Sequence, residues 1–254
     1  MGKEAFKVGL IGAGGRGRGA VMDALAANEN IVLWSIGDLF PDHMATALEK
    51  LEAAVPKKNY QVTKDRTFVG FDSYKGVIAS GVDVVFLTTP PAFRPEQFEA
   101  AINAGKHVFM EKPVATDPTG IRSILATSKL ADQKKLNVVA GTQRRHDKAY
   151  RECVKRIQDG QMGDVVACYG YWNQGGIWAI PRDPKWTDME YQLRNWNYFT
   201  WMSGDCIVEQ HIHNVDVCNW VMKAHPVKAV SLAGRQVRTA DVYGHIFDHF
   251  ATEY

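Results

Sequence analysis

The chain has 254 residues, of which 46% are hydrophobic and 23% are charged. Its 30 basic and 28 acidic side chains leave a formal net charge of +2. This length allows one large domain or two ordinary ones, and the balanced charge argues against a disordered chain or a basic nucleic-acid surface. No stretch approaches about 18 unbroken apolar residues, so the sequence predicts no transmembrane helix.

The amino terminus and the cysteines favour a cytoplasmic protein. Residues 1–5 run directly into a strand-like stretch without room for a signal peptide, although export of a longer precursor stays open. The four cysteines, Cys153, Cys168, Cys206 and Cys218, form no Cys-x-x-Cys pair. This scatter argues against a disulfide framework or a zinc ribbon and favours reduced, buried thiols.

Short β-rich runs alternate with helical patterns over residues 1–140. The predicted strands are 6–11, 31–36, 82–87, 107–110 and 137–140, and the predicted helices are 17–27, 94–104 and 118–130. Strands separated by helices imply βαβ crossovers and a parallel sheet covered on both faces. We therefore predict an α/β domain with a doubly wound parallel sheet over residues 1–143.

The pattern changes from residue 144. A helix is predicted at 148–159, a strand-like run at 165–172, an aromatic loop at 173–201, one continuous helix at 205–222, and strand-like runs at 227–237 and 243–254. Strands that are neighbours in sequence favour an antiparallel or mixed open sheet, so we predict an α+β domain over residues 144–254. The last run stops in mid-pattern, from which we expect the domain to be incomplete in this chain.

A glycine-rich turn follows the first predicted strand. Residues 12–17 read Gly-Ala-Gly-Gly-Arg-Gly, which fits the pattern G-x-G-x-x-G. Gly12 permits the tight turn, Gly14 lets the backbone approach a diphosphate, and Gly17 lets helix and strand pack closely. Asp38 ends the second strand, where a carboxylate bonds an adenosine ribose and repels a 2′-phosphate. Together they predict NAD rather than NADP; the alternative is an ordinary turn and a solvated aspartate.

Lys112 follows the predicted strand 107–110, in the run Glu111-Lys112-Pro113. Ligands of a doubly wound sheet bind beyond the carboxyl ends of its strands, and Pro113 biases Lys112 towards an extended conformation. A lysine in that position stabilises a developing alkoxide or helps to position a hydroxyl group for deprotonation. The alternative is a solvated surface lysine.

Three stretches together resemble one oxidoreductase family. Residues 104–113 (Ala-Gly-Lys-His-Val-Phe-Met-Glu-Lys-Pro), residues 7–17 and the run Thr88-Thr89-Pro90 are similar to the glucose–fructose oxidoreductase, inositol dehydrogenase and rhizopine-catabolism (Gfo/Idh/MocA) family. The resemblance covers essentially the whole chain. It implies an amino-terminal Rossmann domain, a carboxy-terminal α/β domain whose open sheet makes oligomer contacts, a nicotinamide cofactor, and hydride chemistry on sugars, polyols or related molecules.

The resemblance also implies where the cofactor binds. Family members place the nicotinamide ribose at the run from Thr88 to Pro90. Arg94 stands where many members have a histidine, which implies an altered cofactor or substrate contact, or a surface arginine. The predicted cofactor contacts are Gly12, Gly14, Gly15, Arg16, Gly17, Asp38, Thr88, Thr89, Pro90, Arg94, Glu111, Lys112 and Gln143.

The family's second signature is an aspartate and a histidine four residues apart on a helix. Here His213 falls on the catalytic histidine position, Glu209 replaces the aspartate, and Asp216 matches an acidic position that follows. On a continuous helix, residues 209, 213, 216 and 220 share one face. A carboxylate one turn before an imidazole orients it and raises its basicity, as a general base requires. The predicted catalytic residues are therefore Lys112, His213 and Glu209, with Glu209 either orienting His213 or touching the substrate.

Glu209, His211 and His213 are all of metal-ligand types. On a continuous helix, however, His211 and His213 point about 200° apart, so they cannot chelate one ion. The sequence therefore predicts no metal.

Two regions are candidates for substrate contact. Arg144 and Arg145 either hold a hydroxyl-rich substrate or lie at a solvated domain junction; we favour the junction for Arg144 and the substrate for Arg145. Five tryptophans precede the histidine helix, and aromatic faces stack on sugar rings, although at least half must serve packing. The predicted substrate contacts are Arg145, Trp196, Asn197 and Tyr198.

The function predicted from these residues is NAD-dependent oxidation of a CH–OH group, a secondary hydroxyl of a sugar, glycoside or cyclitol. One alternative keeps NAD but cleaves a glycoside through transient sugar oxidation, with no net NADH. Another is a non-catalytic nucleotide-binding sensor or scaffold. The expected partners are a sugar or polyol and further copies of the chain, joined through the carboxy-terminal sheet, with neither nucleic acid nor membrane.

Overall fold

The computed structural model describes residues 5–254. They form two compact units, the first ending at Gly141 and the second beginning at Thr142. The expected lack of a signal peptide falls on residues 1–4 and so lies outside the described residues. Within residues 5–254, no helix is long and apolar enough to cross a membrane.

The first unit is built on a parallel sheet, as predicted, with six strands, of which Thr67–Val69 was not predicted. Its strands in chain order are β1 (Phe6–Ile11), β2 (Ile31–Asp38), β3 (Thr67–Val69), β4 (Val84–Leu87), β5 (His107–Met110) and β6 (Val138–Ala140). The spatial order is β3-β2-β1-β4-β5-β6 and every pairing is parallel. This is the Rossmann order, in which the chain changes direction across the sheet at β1.

Helices connect these strands. They are α1 (Gly15–Ala27), α2 (Pro41–Ala54), α3 (Ser73–Ala79), α4 (Arg94–Asn103) and α5 (Pro118–Gln133). Neighbouring residues of β1 belong to different hydrophobic clusters: Leu10 is part of one and Ile11 of the other. Because alternate strand residues face opposite sides, the sheet has a core on each face. Two buried layers hold the carboxyl ends of β1, β4 and β5 rigidly in line.

The second unit is α+β with an antiparallel sheet, also as predicted. Its helices are α6 (Lys148–Gln158), α7 (Asp188–Arg194), α8 (Thr200–Ser203), α9 (Asp205–Glu209) and α10 (Ile212–Met222). Its two strands are β7 (Val230–Gly234) and β8 (His249–Glu253), which pair with each other.

The strand predicted at residues 165–172 is wrong. The structure assigns no regular element there, and the side chains of Val166 and Tyr169 are 94% and 80% exposed. A β-rich sequence becomes a strand only where another strand accepts its backbone hydrogen bonds. In the described part of the second unit, β7 and β8 pair only with each other.

The single helix predicted at residues 205–222 is also wrong, because it is broken at Gln210 and His211. The carbonyl of Cys206 accepts hydrogen bonds from the backbone N–H groups of both residues, at 3.0 and 3.1 Å. Because this one carbonyl accepts both N–H groups, the hydrogen bonds that follow are displaced by one residue and the helix is interrupted. Glu209 therefore ends α9, whereas His213 lies in the first turn of α10.

The expectation of buried thiols is corrected as well. All four cysteines are free, but Cys153 and Cys168 are exposed, and Cys206 and Cys218 are half-buried.

Candidate active site

The glycine-rich turn joins β1 to α1 through contacts that exclude a side chain. Gly12 has φ of +89°, and a Cβ atom there would lie 2.6 Å from the backbone nitrogen of Thr89. A Cβ atom on Gly17 would lie 2.1 Å from the carbonyl oxygen of Gly12. Only glycine allows this turn and this approach of helix to strand.

The outer side of the turn is open. Cβ atoms added at Gly14 and Gly15 would meet nothing within 4 Å, and Gly14 caps α1 without a side-chain hydrogen bond. The first N–H groups of a helix carry partial positive charge and need acceptors. An open, uncapped helix start fits the diphosphate of a dinucleotide, which brings acceptor oxygens and negative charge.

Asp38 lies at the carboxyl end of β2 and is only 6% exposed. Its carboxylate accepts hydrogen bonds from the backbone N–H groups of Ala13 at 2.7 Å and Phe40 at 3.0 Å. A carboxylate has about four lone-pair sites, so capacity for two hydroxyl groups is left. The acceptor sites that remain suit the two hydroxyl groups of a ribose beside the turn, which is the contact that the NAD prediction requires.

Arg16 and Glu111 are tied to each other. Arg16 Nε donates to Glu111 Oε1 at 2.6 Å, and its terminal nitrogens lie 3.1 Å from Asp23. Burial lowers the pKa of Arg16, but hydrogen bonds and attraction to Glu111 and Asp23 outweigh it and raise the pKa above its usual value. The Arg16–Glu111 pair thus links the start of α1 to the end of β5.

Thr88 and Thr89 follow β4 and brace the turn. Thr88 Oγ1 donates to the carbonyl of Gly12 at 2.6 Å, and Thr89 Oγ1 donates to Gln97 at 2.6 Å. Pro90 directly precedes the short 3₁₀ turn Pro91–Phe93, which leads into α4. These contacts place the three residues at the carboxyl end of the sheet, next to the glycine-rich turn.

The interpretation of Arg94 as a surface arginine is wrong. Its side chain is 4% exposed, donates to the Thr89 carbonyl at 2.6 Å and also bonds the Pro113 carbonyl. Its guanidinium group therefore joins the loop after β4 to the loop after β5. Arg94 thus holds the backbone of Thr89, another of the predicted cofactor contacts.

Lys112 directly follows β5 and is half-buried. Its backbone N–H donates to Glu111 Oε2 at 3.3 Å. Lys112 thus stands beyond the carboxyl end of β5, which lies between β4 and β6. Its catalytic role stays a prediction.

In the second unit, His213 is 7% exposed and lies in the first turn of α10. Its ring stacks on Trp172, with centroids 5.7 Å apart and planes 21° apart. The break before α10 overturns the argument that Glu209 and His213 share one face of a continuous helix. The break also removes the basis for the calculated angle between His211 and His213.

Burial lowers the pKa of His211, against a smaller opposing effect of Asp205. Among residues 5–254 there is no group of three metal-ligand side chains.

Arg145 binds a carboxylate within its own unit. Its guanidinium donates to both carboxylate oxygens of Asp216, at 2.9 and 2.8 Å, and lies 5.0 Å from the Trp220 ring. Arg144 donates to Asn214 at 2.6 Å. Both arginines hold α10, so the structure gives each a structural contact. Gln143, just before them, is exposed.

Trp196, Asn197 and Tyr198 form a short 3₁₀ turn. Tyr198 is completely buried and bonds the Ile177 carbonyl at 3.2 Å, and Asn197 is 7% exposed. The predicted substrate contact of the Tyr198 side chain is therefore wrong, because the ring belongs to the core. Trp196 is half-buried, with its ring 5.9 Å from that of Trp178.

Sequence reasoning missed two neighbours of the predicted site residues. Trp172 covers the His213 ring, and His43 Nδ1 lies 3.7 Å from Asp38 Oδ1. Trp172 stood out as one of several tryptophans, but no spacing distinguishes it from the others. His43 lies in the first turn of α2, five residues after Asp38. This short separation in sequence is the signal from which a contact between the two side chains could have been predicted.

Comparison with known proteins identifies the family. The family model described as "Oxidoreductase family, NAD-binding Rossmann fold" (Gfo/Idh/MocA) matches residues 6–141, more than half of the chain. Inositol 2-dehydrogenase from Rhizobium meliloti is 26% identical over 227 residues, which are 89% of this chain and 58% of that protein. The chain thus spans less than two thirds of this curated relative.

Solved structures share the fold. Myo-inositol 2-dehydrogenase from Lactobacillus plantarum superposes with a TM-score of 0.69 at 21% identity, covering 98% of this chain and 65% of that one. Scyllo-inositol dehydrogenase from Lactobacillus casei, solved with NAD(H) and scyllo-inositol, gives 0.64 at 21% identity, covering 94% and 62%. With a family match that includes the glycine-rich turn, Asp38 and Lys112, the chain belongs to the Gfo/Idh/MocA family of oxidoreductases, whose amino-terminal unit is an NAD-binding Rossmann fold.

Proposed function

We propose that this chain forms the NAD-binding and catalytic part of a dehydrogenase that oxidises a secondary hydroxyl of a cyclitol to a ketone. The observation that carries the proposal is the open, uncapped start of α1 beside the buried carboxylate of Asp38. The name of the Rhizobium meliloti relative, inositol 2-dehydrogenase, supports a cyclitol over other polyols.

The glycine-rich turn and Asp38 would hold the dinucleotide. Backbone N–H groups at the start of α1 would bind the diphosphate, and the Asp38 carboxylate would accept hydrogen bonds from the hydroxyls of the adenosine ribose. When bound, NAD supplies a hydride acceptor for the substrate carbon. Thr88, Thr89 and Glu111 line the carboxyl end of the sheet, where the rest of the cofactor would extend.

His213 and Lys112 carry the proposed chemistry. His213 takes the proton from the substrate hydroxyl, and the Lys112 ammonium stabilises the alkoxide-like oxygen that results. The stacked Trp172 ring covers the imidazole and restricts its rotation until a substrate displaces the tryptophan. Glu209 at the end of α9 would contact the substrate or orient His213.

Selection of NAD over NADP follows from the charges around the turn. The nearest arginines are both engaged: Arg16 pairs with Glu111 and Asp23, and Arg18 donates to the Ala13 carbonyl at 2.9 Å. A 2′-phosphate would meet the Asp38 carboxylate, at a cost of about 1–3 kcal/mol. Titration of each cofactor by tryptophan fluorescence tests this selection, and tighter binding of NADP would contradict it.

The activity is tested on the full-length protein with a panel of inositols, sugars and glycosides, following NADH absorbance and product together. We expect NADH and a keto product from an inositol. His213→Ala should lower kcat about 10²–10⁴-fold with unchanged NAD affinity, and Lys112→Ala about 10²–10³-fold. Glu209→Gln should be milder. Cleaved glycoside without NADH would instead indicate transient oxidation, and NAD binding without turnover would indicate a sensor.

We further propose a homo-oligomer joined through the β7–β8 sheet and a cytoplasmic location. On β7, the apolar residues Val230 and Leu232 are 60% and 78% exposed in the single chain. Exposed apolar side chains of this kind are typical of a surface that is covered when two copies associate. Free thiols suit a reducing compartment. Light scattering on the full-length protein and on Leu232→Glu tests the interface; an unchanged mass for the variant would contradict it.

A further inference from the structure

The segment from Cys168 to Trp172 lies along α10, the helix that carries His213. Trp172 stacks on the His213 ring, and the Tyr171 carbonyl accepts a hydrogen bond from Asn214 Nδ2 at 3.0 Å. A Cβ atom on Gly170 would lie 3.0 Å from the Asn214 Cβ atom. Three successive residues of the segment therefore contact the first turn of α10.

The same alignment brings Cys168 opposite Cys218. Tyr169 and Tyr171 are 80% and 74% exposed, whereas Gly170 and Trp172 contact α10. On α10, Cys218 follows Asn214 by four residues and shares its face. Cys168 precedes Gly170 by two residues, so each cysteine lies within four residues of the contact between Gly170 and Asn214. Burial and then the neighbouring Cys168 thiol, through its charge and a side-chain hydrogen bond, raise the pKa of Cys218.

We propose that Cys168 and Cys218 form a redox-sensitive thiol pair that a peroxide converts to a disulfide, which fastens the segment 168–172 to α10. The exposed Cys168 thiolate attacks one peroxide oxygen, and water or hydroxide leaves, giving a sulfenic acid. Cys218 then attacks the Cys168 sulfur and displaces the second oxygen as water. Two thiols and one hydrogen peroxide thus give one disulfide and two waters.

The other cysteines lack one or both of the features that this chemistry needs. Burial, with added contributions from Asp205, raises the pKa of Cys206 to about 12, so its thiol stays protonated. Cys153 is exposed on α6, away from the segment 168–172 in sequence. Burial also raises the pKa of Cys218, followed by the effect of Cys168. Cys168 is accordingly the thiol oxidised first, and Cys218 the one that resolves it.

The disulfide would act on the proposed general base. Trp172 lies four residues from Cys168 and covers the His213 ring. Fastening the segment to α10 holds that cover in place, so oxidation should slow any step in which the substrate displaces Trp172. This effect on turnover rests on the proposed function, whereas formation of the disulfide does not.

The test uses the full-length protein, treated with hydrogen peroxide and then mapped by mass spectrometry without reduction. We expect a cross-linked peptide pair containing Cys168 and Cys218, loss of these two thiols together in a thiol titration, and full recovery with dithiothreitol. Cys153→Ser and Cys206→Ser should behave like the wild type, whereas Cys168→Ser and Cys218→Ser should form no such cross-link. Linkage through Cys153 or Cys206, or sulfinic acid on Cys168 without a cross-link, would overturn the proposal.

Thermal unfolding and turnover give independent measurements. The oxidised wild type should melt roughly 5 °C above its reduced form, and Cys168→Ser should show no such difference. If the reduced protein oxidises an inositol, peroxide should lower its turnover reversibly and leave NAD affinity unchanged. Full turnover of the cross-linked protein would refute the link to His213. A reduced protein without dehydrogenase activity would count against the proposed function alone, because peptide mapping and melting still decide the disulfide.

Discussion

The cofactor turn and the histidine helix are held in place by different kinds of contact. In the first unit, the turn is fixed by backbone atoms: Gly17 packs against the Gly12 carbonyl, and Asp38 bonds the Ala13 N–H. In the second unit, α10 is fixed by long side chains, with Arg145 bound to Asp216. Substitutions that add atoms should therefore destabilise the turn, whereas substitutions that remove polar side chains should destabilise the position of α10.

The surroundings of the two regions explain this difference. The turn follows strands whose side chains are buried on both faces, as at Leu10 and Val85, both 0% exposed. A rigid sheet positions backbone atoms directly. In the second unit the strand β7 is exposed along almost its entire length, so polar bridges replace part of a core.

The largest predicted effect comes from adding a methyl group inside the turn. Gly17→Ala should lower the free energy of unfolding by about 3 kcal/mol, because the new Cβ atom would overlap the Gly12 carbonyl. Urea unfolding monitored by tryptophan fluorescence measures this change. Gly15→Ala is the matched control: it lies in the same helix, its Cβ atom meets nothing within 4 Å, and its stability should be equal or higher. Equal loss in both variants would show that the turn is not held by close packing.

The Rossmann unit could be predicted from sequence because its signals are local. Strand β1 was predicted with its observed bounds, since its hydrophobic run is buried and ends at a glycine turn that allows no alternative. The predicted helix at 94–104 likewise differs from α4 by one residue. In both cases the pattern and the packing agree.

The second unit was less predictable because its structure depends on distant contacts. The run 165–172 has β-forming residues but no paired strand, and the break at Gln210 and His211 comes from one shared carbonyl. Tyr198 was assigned to the substrate because an aromatic neighbour of Asn197 could stack on a sugar ring, whereas its ring is buried among residues far away in sequence, such as Tyr243. No spacing rule contains that information.

The next effect concerns a carboxylate that holds a loop of the second unit. Hydrogen bonds from the backbone N–H groups of Arg238, Val237 and Gln236, together with His249, keep the pKa of Asp248 well below its usual range. A depressed pKa gives stability that is present above about pH 4 and is lost as the pH falls. Asp248→Asn should therefore lower Tm at neutral pH.

Melting curves over a series of pH values check this prediction. The difference in Tm between the wild type and Asp248→Asn should shrink as the pH falls below about 4. The exposed Asp164→Asn serves as the control and should follow the wild type throughout. A difference that is constant with pH would mean that the Asp248 charge does not stabilise the loop.

A smaller effect is expected for the bidentate pair between Arg145 and Asp216, whose side chains are 36% and 21% exposed. A double-mutant cycle with Arg145→Met and Asp216→Asn should give a coupling of about 1 kcal/mol in unfolding. Because the pair holds α10, kcat should fall while the NAD affinity of the first unit stays the same. A coupling near zero would remove the pair from the contacts that fix the histidine helix.

The smallest effect separates a pair that holds an element from one that only lies on the surface. Arg16 and Asp23 are 53% and 70% exposed, and Arg16 keeps its bond to the nearly buried Glu111 when Asp23 is changed. Exposed pairs gain little because water screens their attraction. Asp23→Asn should therefore change the free energy of unfolding by less than about 0.5 kcal/mol, and NAD affinity by less than about twofold. Urea unfolding and fluorescence titration, run beside Asp216→Asn, provide the comparison. If Asp23→Asn cost as much as Asp216→Asn, side-chain pairs would matter equally in both units, and backbone contacts would not be what distinguishes the turn.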